Sequence, residues 1–237
     1  MGGIFAAYDP SVIAAILATA TLAASPAAPP PPVDHRPAAT QILWVRKGRH
    51  VRLRRSPHGR TVAILGDRTE YGRRTILAVT HVLGRWAAVS SSLVPNGRRA
   101  WVRLSSRDLA LRHTRWRLEA DLTDRAVRVL HDGKRVTSFA ITIGRRGTES
   151  PMGRFAISDK LPGKDFGRSF GCCILALSGR QPKVTFDGLD GRMKIHGTDR
   201  PALIGHRDSE GCLRASDQHL RMLMRRVPVG TPVIIRR

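Results

Sequence analysis

Along most of this chain apolar residues recur at every second position, the mark of strands that bury one face. Residues 116–121 and 125–130 both alternate, and His131-Asp132-Gly133-Lys134 supplies the Asp-Gly of a tight hairpin. A strand is expected over 135–143. The glycine- and proline-bearing loop 144–153 then leads to strands over 154–158, 172–177 and 192–195, and residues 230–236 close the chain as another. One stretch alone has helical spacing. Leu220, Leu223, Met224 and Val227 fall at i, i+3, i+4 and i+7, with Ser216 or Asp217 as N-cap and Pro228 as the stop. The pattern predicts a mainly β domain over 116–237 with a short helix near its end.

Residues 41–105 are punctuated for short strands. Val, Ile, Leu and Trp alternate with Arg, and Ser56-Pro57-His58-Gly59 and Pro95-Asn96-Gly97 are turn sequences. Residues 11–24 differ, being uncharged, mostly apolar and too short to span a bilayer comfortably. Small residues and then prolines at 26, 29–32 and 37 follow. Residues 1–40 are therefore expected to be an export signal or anchor with a stiff Pro-rich linker, which puts the protein outside the cytoplasm, at the cell wall or facing the periplasm. Residues 1–10 lack Lys and Arg and carry Asp9. An uncleaved anchor or a misassigned start codon is the alternative.

At 237 residues the chain is long enough for one or two domains with real cores. It has 35 arginines and only 6 lysines against 18 acidic residues, a net charge of +23. Such a charge suits a polyanion, here an anionic wall polymer, as well as it suits an arginine-rich surface with no dedicated partner. Aromatic residues are only 5% of the chain, too few for the stacking platform of a single-strand binder, and no nucleic-acid partner is expected. No His, Cys or Asp cluster has ligand spacing, so neither a metal nor another cofactor is expected. Cys172 and Cys173 are neighbours in an apolar run. They are expected to be unbridged core residues acting as small hydrophobes.

The candidate chemistry lies in Lys194–Arg214, which offers His196 and Cys212 with 15 residues between them. A thiol is only a few per cent thiolate at neutral pH, and a nearby imidazole is the usual means of activating it. Gly211 permits close backbone approach, and the amides of Gly211 and Cys212 are candidates to face a developing oxyanion. His113, His131, His206 and His219 read as ordinary core or surface residues, although His206 falls inside the motif span and can line a cleft.

Several motifs follow in one order. They are the strand-Asp132-Gly133-Lys134-strand unit, Thr148-Glu149-Ser150-Pro151-Met152-Gly153, Phe166-Gly167, Ile195-His196-Gly197-Thr198 and Ser209-Glu210-Gly211-Cys212-Leu213-Arg214. This set resembles the L,D-transpeptidase (YkuD) catalytic domain over about residues 116–237. The resemblance implies a β-sandwich with a short helix after the active-site turn. Cys212 would be the nucleophile, His196 the base and the Gly197 carbonyl the group that orients the imidazole. Ser209, Gly211 and Arg214 would shape the substrate and oxyanion pocket. It also implies acyl transfer from a tetrapeptide stem of peptidoglycan, with release of D-Ala, to an acceptor stem amine, and carbapenem β-lactams as inhibitors. An L,D-carboxypeptidase using water, or a non-catalytic wall-binding protein, is the alternative. Many family members have His where this chain has Glu210, and a carboxylate facing the thiol would raise its pKa. Within 41–105, Val51-Arg52-Leu53, Gly84-Arg85-Trp86 and Ala100-Trp101-Val102 resemble bacterial SH3-like repeats, which implies a small barrel that tethers substrate or is purely structural.

Overall fold

The structure, a computed structural model, describes residues 39–105, 107–184 and 191–237. The expected export segment and proline-rich run lie outside the described residues. The Arg-interleaved region forms β1 (Thr40–Val45), β2 (Val51–Arg54), β3 (Thr61–Leu65), β4 (Ile76–Leu83), β5 (Trp86–Val89) and β6 (Ala100–Arg103), joined by β7 (Leu109–Thr114). These strands pair in the order β3-β2-β6-β5-β4-β1-β7, all antiparallel. Their alternating apolar positions, among them Leu43, Val45, Leu53, Ala87, Val89 and Val102, meet in one buried cluster.

The second alternating region forms β8 (Trp116–Asp121), β9 (Ala126–His131), β10 (Lys134–Ala140), β11 (Ile143–Gly144), β12 (Gly153–Pro162), β13 (Cys173–Arg180) and β14 (Arg192–His196). Then come β15 (Arg207–Ser209), β16 (Leu213–Arg214), α1 (Asp217–Arg226) and β17 (Pro232–Arg236). Eight of them make a mixed sheet in the order β10-β9-β8-β17-β12-β13-β14-β16, and β11 pairs with β15 apart from it. The fold is mainly β, as the alternation predicts. At the β9–β10 hairpin Asp132 and Gly133 both take positive φ, 50° and 75°, the conformation that a two-residue turn with the twist of its strands requires.

Helix α1 begins where the sequence places it. Ser216 is the N-cap and accepts from the His219 amide, and Pro228 follows the C-cap Val227. Leu220, Leu223 and Val227 lie in one buried cluster with Leu175, Leu177, Ile195 and Leu213. Strand β13 is buried at seven consecutive positions and β14 at all five. A strand covered on both faces buries both alternating sets of its side chains. On β14 that second face carries Arg192, Lys194 and His196.

The two large sheets meet through polar contacts close to β14. The Thr69 hydroxyl donates to Asp159 Oδ1 at 2.6 Å, and Arg192 pairs with Glu70. Burial raises the pKa of Asp159, while its hydrogen bond from Thr69 opposes that rise. Asn96 exchanges two hydrogen bonds with the backbone of Arg180, at 2.6 and 2.9 Å.

The two adjacent cysteines correct an expectation. Cys173 does sit in the core cluster and Cys172 packs against it, but the pair is bridged by a disulfide. Cys172 precedes β13, where the chain has not yet taken strand geometry, and its amide is held by Asp217 Oδ1 at 2.9 Å rather than by a neighbouring strand. Its sulfur is therefore not directed as strict alternation would direct it. Cys212 is left as the free thiol.

Candidate active site

Strands β14 and β16 run parallel, with Ile195 opposite Leu213 and His196 opposite Arg214. Side chains two apart on a strand share a face, and partners across a pair share it too. His196, Arg214 and Lys194 therefore face one side. Cys212 lies one residue before β16, where its thiol feels both the charge and the backbone hydrogen bond of Lys194. Ile195 and Leu213 take the opposite side, in the core. The two candidate catalytic residues, distant in sequence, are thus carried by one strand pair, His196 at the end of β14 and Cys212 just ahead of β16, both nearly sealed from water at 5% and 8% exposure.

The tautomer of His196 follows from its partner. Nδ1 lies 2.7 Å from the Gly197 carbonyl oxygen, which can only accept, so Nδ1 carries the proton and the Nε2 lone pair is free to act as a base. The Gly197 amide donates to Cys173 O at 3.1 Å, and the Ala215 amide donates to His196 O at 2.9 Å, so the loop is held on both sides. The Phe170 ring lies 4.8 Å from the imidazole. Burial drives the His196 pKa down to about 3; the Gly197 hydrogen bond opposes this, and the charges of Arg214 and Lys194 add to it. Burial pushes the Cys212 thiol up, against the pull of Lys194 and Arg214. The resting pair is therefore neutral thiol and neutral imidazole.

Ser209 organises the turn. Fully buried, its hydroxyl donates to Cys212 O at 2.5 Å and accepts from the Gly211 amide at 3.1 Å. That amide is committed to Ser209 rather than aimed at an oxyanion, which leaves the Cys212 amide as the candidate donor. Gly211 is needed for another reason. Its φ is +112°, and a Cβ there would stand 2.2 Å from Gln181 Nε2. Gln181 itself donates to the carbonyls of Thr148, Glu149 and Glu210, fastening loop 145–150 to the turn.

Arg214 donates weakly to Asp208 at 3.4 Å, and its buried Nε has no hydrogen-bond partner among the described residues. Glu210 is engaged in an ion pair with Arg145 and is not among the groups that shift the Cys212 thiol. The departure from the His of many relatives therefore places no carboxylate against the thiol. Sequence reasoning missed Lys194, Gln181, Arg145 and Phe170 as parts of this site. A signal existed for Lys194 alone: it stands two residues before His196, on the same strand face, between apolar Met193 and Ile195.

The profile of the L,D-transpeptidase catalytic domain matches residues 115–235. The chain belongs to that family. Membership places it with enzymes of the L,D-transpeptidase class. The YkuD protein of Bacillus licheniformis is 31% identical over 120 residues, which is 51% of this chain and 65% of that protein. The YkuD protein of Bacillus subtilis is 33% identical over 100 residues, 42% of this chain and 53% of the relative. The chain thus spans less than two thirds of either relative's length. Among solved structures, the L,D-transpeptidase from Mycobacterium smegmatis aligns over 69% of this chain and 91% of its own, at 15% identity and a TM-score of 0.43. L,D-transpeptidase 3 from Mycobacterium tuberculosis aligns over 59% of this chain and 74% of its own, at 13% identity and a TM-score of 0.42.

Proposed function

We propose that this protein is an exported L,D-transpeptidase that cross-links peptidoglycan stem peptides, with Cys212 as nucleophile and His196 as base. The observation that carries the reading is a free thiol just ahead of β16 and, on the paired strand β14, an imidazole whose Nδ1 is committed to Gly197 and whose Nε2 is free. Because both groups rest neutral, proton transfer accompanies attack instead of preceding it.

Nε2 takes the thiol proton as sulfur bonds to the carbonyl carbon of the third, L-centred residue of a tetrapeptide stem. The carbonyl electron pair moves to oxygen, with the Cys212 amide as candidate donor to it. On collapse the C–N bond to terminal D-Ala breaks, and the leaving amine takes the proton from His196. A side-chain amine of a second stem then attacks the thioester carbon; the new amide forms as the C–S bond breaks, and the amine's proton passes through His196 to the departing sulfur. With water as acceptor the same site acts as an L,D-carboxypeptidase. The partly exposed guanidinium fork of Arg214 suits a stem carboxylate. A carbapenem would acylate the same sulfur. The β1–β7 sheet, read as an SH3-like module, would tether the wall polymer, aided by the basic surface.

The test is to incubate the full chain with disaccharide-tetrapeptide and follow D-Ala release and dimer by mass, with Cys212→Ala as control. Release with dimer supports transpeptidation, and release without dimer assigns the carboxypeptidase. No D-Ala release by the wild type refutes the enzyme reading.

A further inference from the structure

Lys194 has no role in the chemistry described so far, yet it is one of the largest fully buried side chains in the protein, at 2% exposure. Lysine is seldom sealed so completely. The register of β14 and β16 places it on the face shared with His196 and Arg214, and Cys212, one residue before β16, is close enough to feel the Lys194 backbone and charge. Neighbouring strands lie roughly 4.8 Å apart, well within the reach of a lysine side chain. Its Nζ is fixed by a hydrogen bond to Arg192 O at 3.0 Å, so the ammonium is held along the strand and does not extend to solvent.

We propose that the buried ammonium of Lys194 is the group that stabilises negative charge on the Cys212 sulfur. The inference rests on the reading of Cys212 as nucleophile. One cation on this face does two things. It favours the negative charge that builds on sulfur as it gives up its proton and that returns as it leaves the thioester, and it disfavours a second positive charge on His196, keeping the imidazole in its base form. The opposing directions in which Lys194 acts agree with this placement: towards ionised sulfur and towards neutral imidazole.

Arg214 pulls the thiol the same way, and the remaining charged groups are engaged elsewhere. Arg214, from β16, is partly exposed and shared with Asp208 of β15. Glu210, on the turn, is paired with Arg145. Asp217, at the start of α1, accepts from the Cys172 amide and pairs with Arg221. Burial alone would leave the thiol a poor nucleophile, and a sealed cation offsets that penalty without admitting water.

The experiment measures alkylation of Cys212 by iodoacetamide against pH, read by intact mass, in the wild type, Lys194→Met and Lys194→Arg. With Cys172 and Cys173 bridged, one site reacts. The expected result is a midpoint at least about one pH unit higher in Lys194→Met, hence about tenfold less thiolate at a fixed lower pH, with Lys194→Arg recovering most of the shift. A folded Lys194→Met protein with the wild-type midpoint overturns the proposal. Should that variant not fold, the wild type serves. With only six lysines in the chain, the ε-carbon resonance of Lys194 can be assigned and titrated. A step at the thiol midpoint that vanishes in Cys212→Ala is expected, and no step overturns the proposal. Neither readout needs peptidoglycan. A shifted midpoint in a protein that releases no D-Ala sinks the proposed function alone, and turnover with an unshifted midpoint sinks this inference alone.

Discussion

Lowering the pH should destabilise this protein through His196. The imidazole ionises near 6.5 when free and only near about 3 in the fold, so the unfolded chain binds that proton first. Stability due to neutral His196 is therefore complete above about pH 6.5 and is lost as the pH falls towards 3. The interval from 6.5 to about 3, at 1.36 kcal/mol for each pH unit, corresponds to roughly 5 kcal/mol in all. About 3 kcal/mol of it should go between pH 6.5 and 4, a large fraction of the usual stability of a domain. Urea unfolding of the wild type and of His196→Gln across this range isolates the effect. Gln keeps a donor for the Gly197 carbonyl but does not titrate. The lowered carboxyls Asp121 and Glu149 also lose their contribution in acid, and the raised Asp159 acts in the opposite sense, but these are common to both proteins. The wild-type free energy should fall faster than that of the variant. Parallel curves would refute the account of a buried, neutral imidazole.

The same ionisation predicts kcat/KM for D-Ala release without an inflection between pH 6 and 7, governed instead by the alkaline ionisation of the thiol; a bell centred near neutrality would contradict it. Ser209→Ala should cost about 1–3 kcal/mol in urea unfolding and slow acylation by a carbapenem, because it frees two buried hydrogen-bonding groups in the nucleophile turn. Glu210→Gln should leave the alkylation midpoint of Cys212 where it is, since that carboxylate is engaged by Arg145; a clear fall would show that it faces the sulfur. Gly197→Ala should lower the urea midpoint by an amount equivalent to about 1–3 kcal/mol or more. Its Cβ would stand 2.3 Å from Asp217 Oδ1 and 2.9 Å from the Gly171 and Phe170 backbone, and a variant as stable as the wild type would deny that contact.

What was legible in the sequence was whatever depends on neighbours in the chain. The period of two at 116–121 becomes β8, the Asp-Gly pair becomes the β9–β10 turn, and Ser216 and Pro228 bracket α1. Each reflects a local preference of backbone or side chain. The motifs around His196 and Cys212 were legible because they are specific in type and spacing.

The rest came only from tertiary structure. The partner of Glu210 lies 65 residues away at Arg145, and the Asp217 carboxylate that holds Cys172 lies 45 residues from it. Whether the Gly211 amide faces a substrate or a neighbouring hydroxyl depends on how Ser209 is buried. The sealing of Lys194 follows from β14 being covered on both faces, and a period of two cannot distinguish a strand with one wet face from a strand with none. Sequence by itself determined which groups are present and the local shape of the backbone around them. Their charge states were decided by packing between segments far apart in the chain, because desolvation and Coulomb interactions depend on distance through space.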